Sequence, residues 1–168
     1  MAENLNFATE SGSWCYEKEE ANCDIYGRLY DWATAMNIDV SYNTSTYTAE
    51  AKHQGVCPTG WHLPSDAEWI TLIDNTGDAS TAGTKLKAAS GWNSSGNGTD
   101  NYGFSALPGG NRTAAGAFGN LGTFARWWTT TESTATNATH RYIENRYSKV
   151  DPNNSNKQLG VSVRCVQD

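Results

Sequence analysis

The stretch Gly55-Val56-Cys57-Pro58-Thr59-Gly60-Trp61-His62-Leu63-Pro64-Ser65-Asp66-Ala67-Glu68-Trp69 decides how the chain is read. Ser65 stands at an N-cap and Glu68 follows three residues on, the spacing at which the two can satisfy each other's orphaned main-chain N–H groups in a capping box. Leu63 before the cap and Trp69 at the fourth helical position can close a hydrophobic staple. A helix is therefore predicted over residues 66–75, with Trp69, Leu72 and Ile73 inward and Gly77 as its stop. Asp66 and Glu68 need no catalytic explanation, because an acid at a helix N-terminus is worth about 0.3–1 kcal/mol. His62, abutting the box, reads as a packed or hydrogen-bonded residue rather than a catalyst.

Working outward, Ile25, Leu29, Trp32, Ala33 and Met36 form one helical stripe and predict a helix over residues 26–37, after an opening strand near Asn4 to Ala8. Residues 38–54 are polar and aperiodic, hence a loop. A short helix is expected over residues 81–89, with Leu86 inward. Beyond Ser90 the texture turns to Gly, Asn and aromatic residues, and strands are predicted over 126–130, 140–147 and 159–166. In the last of these Val161, Val163 and Cys165 alternate with Ser162 and Arg164, as in a half-buried antiparallel strand. Neighbours on a strand face opposite ways, so only one of Trp127 and Trp128 is expected to be free for a ligand. Helices early and sheet late predict an α+β domain, a single unit spanning 1–168 without repeat or linker.

Leu, Ile, Val and Phe number only 23 of 168 residues, but the net charge is just −6 and 7 Trp with 8 Tyr supply the missing apolar area. Asn, Thr, Ser and Gly together number 65, which predicts long polar connections. No run of ten apolar residues occurs, which excludes a helical membrane span and the apolar core of a signal peptide. A pI near 5.0 without a basic cluster argues against a nucleic-acid footprint. Charge is uneven: residues 1–84 carry 3 basic and 13 acidic side chains, residues 85–168 carry 9 and 5. Two oppositely charged faces that attract within one fold are expected.

The four cysteines have no metal-type spacing and read as two disulfides. Three pairings are possible; the short polar excursion between Cys15 and Cys23 favours joining those two, which leaves Cys57 with Cys165. Disulfides imply an oxidising compartment. Since no export signal is present, Met1 is expected to lie inside a longer secreted precursor.

Tyr26-Gly27-Arg28-Leu29-Tyr30-Asp31-Trp32-Ala33, the Gly55 to Trp69 stretch, Gly103-Phe104-Ser105-Ala106-Leu107-Pro108-Gly109-Gly110, Trp127-Trp128 and Ser162-Val163-Arg164-Cys165-Val166 run in order along the chain. Together they resemble the Fibrobacter succinogenes major paralogous domain. The opening Met1 to Asn6 resembles a segment that follows a Trp-ending strand in that family, so an upstream strand is expected to be cut off. Leu63 to Trp69 and Val163-Arg164-Cys165 are more distantly similar to the helix start and closing motif of the formylglycine-generating enzyme, and through it to the C-type lectin fold. The resemblance implies a C-type lectin-like fold: a twisted antiparallel sheet, two to three helices, adjacent termini and long irregular loops that present the functional surface. It also implies a structural bridge between Cys57 and Cys165.

The copper-binding cysteine pair of that enzyme has no counterpart, since no cysteine occurs between Cys57 and Cys165. An enzyme of the sulfatase-modifying-factor type is therefore a distant alternative. The lectin-type sugar signatures are absent too, Asp151-Pro152-Asn153 being a superficial near-match. The Asn93 to Asn101 loop holds a single carboxylate, Asp100, so it reads as a turn network rather than a calcium site, and no metal or cofactor is expected. What remains is a non-catalytic binding or adhesion module at a bacterial cell surface, with a glycan or surface protein as ligand; the alternative is a self-assembling structural subunit of a surface assembly. The functional surface is placed on the second half, in segments 92–102, 113–126 and 131–156. Trp92, Tyr102, Arg126, Arg141 and Tyr147 are the candidate ligand-binding residues, being large amphipathic or charged groups among adaptable polar ones.

Overall fold

A computed structural model describes all 168 residues. In chain order its elements are β1 (Ser13–Trp14), α1 (Glu20–Tyr26), β2 (Leu29–Tyr30), α2 (Trp32–Met36), β3 (Trp61–His62), α3 (Asp66–Asn75), α4 (Ala82–Leu86), β4 (Gly109–Arg112), β5 (Phe118–Leu121), β6 (Phe124–Thr134), β7 (Asn137–Glu144), β8 (Asp151–Asn156), β9 (Val161–Ser162) and β10 (Val166–Gln167). This is a mixed α and β domain with four short helices, more than the two or three expected. The main sheet has six strands in the order β1-β2-β9-β6-β7-β8, antiparallel except for the β6–β9 pair. Two further pairs, β10 with β3 and β4 with β5, flank it.

Helix α3 forms as its sequence dictates, with both arms of the capping box made and Trp69 and Ile73 buried. Leu63, however, packs in one core cluster and Trp69 in the other, so the staple is replaced by two separate anchors. The helix predicted over 26–37 does not form as one piece. Gly27 has φ +74° and its N–H closes α1 on the Cys23 carbonyl, a turn that a side chain would strain. Leu29 and Tyr30 then serve as a strand between β1 and β9, and Asp31 caps α2 through its bond from the Thr34 N–H. Ile25, the first residue of the apparent stripe, is exposed.

The opening segment is extended but not a regular strand; the Leu5 N–H reaches the Val163 carbonyl at 2.8 Å, and the Arg28 N–H reaches the Leu5 carbonyl. The closing strand splits into β9 and β10, and both of its alternating sets, including Ser162 and Arg164, are buried rather than one. β8 lies inside the predicted loop 131–156. Its sequence, Asp-Pro-Asn-Asn-Ser-Asn, carries no apolar alternation because it is an edge strand with most side chains exposed.

The sheet is covered on both faces. Tyr30, Trp32, Met36, Leu63, Trp128 and Val161 belong to one core cluster, while Trp69, Leu86, Trp92, Trp127 and Ile143 belong to the other. Trp127 and Trp128 are thus both fully buried, correcting the expectation that one would be free. The disulfides join Cys15 to Cys23 and Cys57 to Cys165. The Met1 amino group lies 2.8 Å from the Cys165 carbonyl, so the two ends of the chain are neighbours. Of the expected attraction between the acidic first half and the basic second, one arginine–carboxylate pair is realised, Asp66 with Arg141; His62–Asp168 also joins the halves, with the charges reversed, while Glu20–Arg28 and Glu132–Lys157 each lie within one half.

Candidate ligand-binding site

β6, β7 and β8 place chemistry on one sheet face by register alone. Phe124 stands opposite Glu144, Arg126 opposite Tyr142 and Trp128 opposite His140, and β8 sets Asp151 beside Tyr142. Directly paired residues share a face. At the Trp128 end that face lies under the first core cluster. At the Phe124 end it opens: Phe124, Arg126, Tyr142, Glu144 and Asp151 are half-buried, and Tyr147, just beyond the strand, is 59% exposed.

The rings form a row, His140 to Tyr142 at 6.1 Å and Tyr142 to Phe124 at 5.9 Å between centroids. The Arg126 guanidinium lies 4.5 Å from the centre of the Phe124 ring. It forms no ion pair, and its buried Nε has no hydrogen-bond partner. Burial lowers its pKa, with Tyr142 and Glu144 opposing the shift. The terminal nitrogens of Arg126 also bond to nothing in the fold and, unlike Nε, keep access to solvent, so they are the donors an acceptor from outside could meet. Burial raises the pKa of the Tyr142 phenol; Asp151 and Glu144 add to the shift and Arg126 opposes it. His140, its Nε2 3.0 Å from the Ser155 hydroxyl, is pushed down to about 4 by burial and by the Arg126 charge, and is neutral at physiological pH.

Of the five residues singled out in the sequence, Arg126 stands on this platform, and Tyr147 is exposed three residues beyond Glu144, past the end of β7. Trp92 does not stand there: it is core, its indole N–H donating to the Ala106 carbonyl at 2.9 Å. Trp92 acts from below. The buried Lys87 ammonium sits 5.0 Å from its ring and donates to the carbonyls of Asn145 and Tyr147, holding the turn that carries Tyr147. Gly96 packs so tightly on that turn that a Cβ there would stand 2.6 Å from the Asn145 carbonyl oxygen. Arg141 faces the other way, buried, in a bidentate pair with Asp66 at 2.6 and 2.7 Å that ties α3 to β7. Tyr102 is exposed but lies elsewhere, its hydroxyl on the Thr76 carbonyl. In the 93–101 loop the Asp100 carboxylate accepts from the Ser105 N–H and hydroxyl, and Asn97 accepts from the Trp92 N–H, which makes the loop a turn network.

Tyr142, an aromatic of the expected recognition surface, and Glu144 and Asp151 are not among the five candidate residues read from the sequence. Period-2 spacing links Tyr142 with Glu144 and Phe124 with Arg126, a signal that was available; Asp151 required β8, which composition hides.

Two further features lie outside the platform. His62 is held at both nitrogens, Nε2 by Glu68 and Nδ1 by Asp168, each at 2.7 Å. Burial would lower its pKa, but the two carboxylates outweigh this and raise it. A groove of about 520 Å³ runs between α3 and β10, lined by Trp61, Leu72, Phe104 and Val166, with Arg164 and Glu68 as its charged members. Arg164 is spent within the fold, donating to Asn4 Oδ1 and to the Phe104 carbonyl. The Fibrobacter succinogenes major domain model matches residues 1–167. No curated protein and no solved structure matches the chain.

Proposed function

Because the chain belongs to the Fibrobacter succinogenes major domain family, we propose that it is a non-catalytic extracellular binding module of C-type lectin-like fold. Its ligand surface is the β6–β7–β8 platform, and the ligand is a glycan or a surface protein. The observation that carries this reading is Arg126, a half-buried guanidinium stacked on Phe124 and left without any acceptor in its own fold. An arginine that is held in place by a ring and whose terminal donors have no partner in the fold is suited to recognition. The lectin-like assignment is supported by the antiparallel sheet, the neighbouring chain ends and the Cys57–Cys165 bridge.

Two disulfides fit an oxidising, extracellular setting, and no helix is long and apolar enough to cross a membrane. A non-catalytic role is supported by the state of the reactive groups. All four cysteines are bridged, His62 has no free nitrogen, and His140 is a weak base held neutral. The test is an array of glycans and cell-surface proteins probed with the domain and with Arg126→Gln. Binding that survives Arg126→Gln unchanged overturns the assignment of the site. Self-assembly is the second reading, favoured by the apolar groove beside α3; a strictly monomeric mass by light scattering at high concentration excludes it.

A further inference from the structure

We infer that the platform takes a neutral saccharide rather than an anionic one; this rests on the preceding reading of the site. A pyranose offers an apolar ring face and a rim of hydroxyls, each both donor and acceptor. The platform offers the complement. Tyr142 supplies a half-buried aromatic face at its open end, and Tyr147, exposed just past the end of β7, is a second ring within the same stretch of chain. Arg126 supplies donors without a competing partner, and Glu144 and Asp151, flanking Tyr142 in register, supply acceptors. Vicinal hydroxyls spanning Arg126 and one of those carboxylates would satisfy both at once, one oxygen accepting and the other donating.

The charge balance sets the class. Arg126 and Asp151 stand opposite Tyr142 on its two neighbouring strands, and Glu144 is the next residue of β7 on the same face: one cation and two carboxylates. His140 adds no positive charge at neutral pH. A ligand carboxylate would gain Arg126 but meet two like charges within reach, in a half-buried setting where solvent screens them incompletely.

The experiment is calorimetric titration of the intact domain with linear neutral hexasaccharides of glucose, mannose and xylose, and with a hexauronate. At least one neutral probe should bind at least tenfold more tightly than the uronate. Tyr147→Ala, at an exposed position, and Arg126→Gln should each weaken that binding at least tenfold while the melting temperature stays within a few degrees. Glu144→Gln with Asp151→Asn should narrow the gap by admitting the uronate. Preference for the uronate, with the same sensitivity to Arg126→Gln, overturns the neutral class while leaving the site standing. Binding insensitive to both single variants, or none with any probe, overturns the saccharide assignment; if a surface protein still binds in an Arg126-dependent way, the platform reading survives without it.

Discussion

Arg126 and Arg141 stand on facing strands one residue out of register, and that single step sends them to opposite faces of the sheet. Arg141 meets the N-terminus of α3, where Asp66 pairs with both arms of its fork. Arg126 meets an aromatic ring and no acceptor. The same side chain is a rivet on the covered face and an unspent donor on the open one. What separates them is how far each core cluster reaches: the second extends over Ala125, Trp127 and Ile143, while the first covers Trp128, Tyr30 and Val161 and leaves its own face half-buried from Arg126 to Phe124.

The sharpest way to break the comparison is at the rivet. Arg141→Ala leaves the Asp66 carboxylate without its partner against a covered sheet face, and removing one member of a buried pair costs about 3–5 kcal/mol. Urea unfolding should show that loss, whereas ligand affinity of the folded fraction should be unchanged. A loss below 1 kcal/mol would mean that the covered face does not depend on this pair.

Next in size is acid sensitivity at His140, which lies between the covered and open regions. Its folded pKa, about 4, is depressed below the unfolded value near 6.5 by burial and by Arg126. Its contribution is complete above pH 6.5 and is lost as pH falls toward 4, about 3 kcal/mol over that window. His62 works in the opposite sense: its raised pKa gives stability that is full below 6.5 and lost as pH rises through the folded value. Glu68 is lowered despite burial, by its bonds with Ser65 and His62, so its share fades only as pH falls below the ordinary carboxylate range. Stability should therefore peak near pH 6.5, and Arg126→Gln should raise the His140 pKa measured by NMR titration. A stability curve flat from pH 4 to 7 would overturn the assignment of a buried, neutral His140.

How much of this was legible in the sequence follows the same divide. α3 was readable to its ends because a capping box is a local signal, satisfied within four residues. The disulfide pairing was readable from loop size and from the family motifs. Trp92 and Arg141 were misplaced because an aromatic or an arginine in a polar segment looks the same whether it faces solvent or a neighbouring element. Alternation separates two faces without saying which is covered, and that depends on helices more than 50 residues away in the chain, as Asp66 is from Arg141. β8 was hidden for a related reason: an edge strand recruited by main-chain bonds needs no apolar pattern.

Lys87→Met tests whether the brace beneath the open face matters to it. The substitution keeps most of the stem's volume but strips the carbonyls of Asn145 and Tyr147 of a buried donor, at about 1–3 kcal/mol. The turn carrying Tyr147 should loosen, visible as faster amide exchange at residues 145–148, and ligand affinity should fall with it. Unchanged exchange there would show that Gly96 and Trp92 suffice to hold the turn.

The smallest expected effect on stability is the most telling. Arg126→Gln removes a cation–π contact worth about 0.5–1 kcal/mol at a partly exposed site. It also relieves the cost of leaving the buried Nε unmet, at the low end of about 1–3 kcal/mol because the rest of the guanidinium is solvated, and of opposite sign. The two should nearly cancel, leaving the unfolding free energy within about 0.5 kcal/mol of the parent, the range of ordinary surface changes. The contrast with Arg141→Ala is then close to tenfold in kcal/mol for the same residue type on the same pair of strands. A loss above 2 kcal/mol at Arg126 would mean that the guanidinium has structural work that its lack of partners conceals, and the open face would have to be regarded as core. A stable Arg126→Gln protein that has lost its ligand would instead fix the division of labour between the faces: one arginine holds the fold, the other is held ready by it.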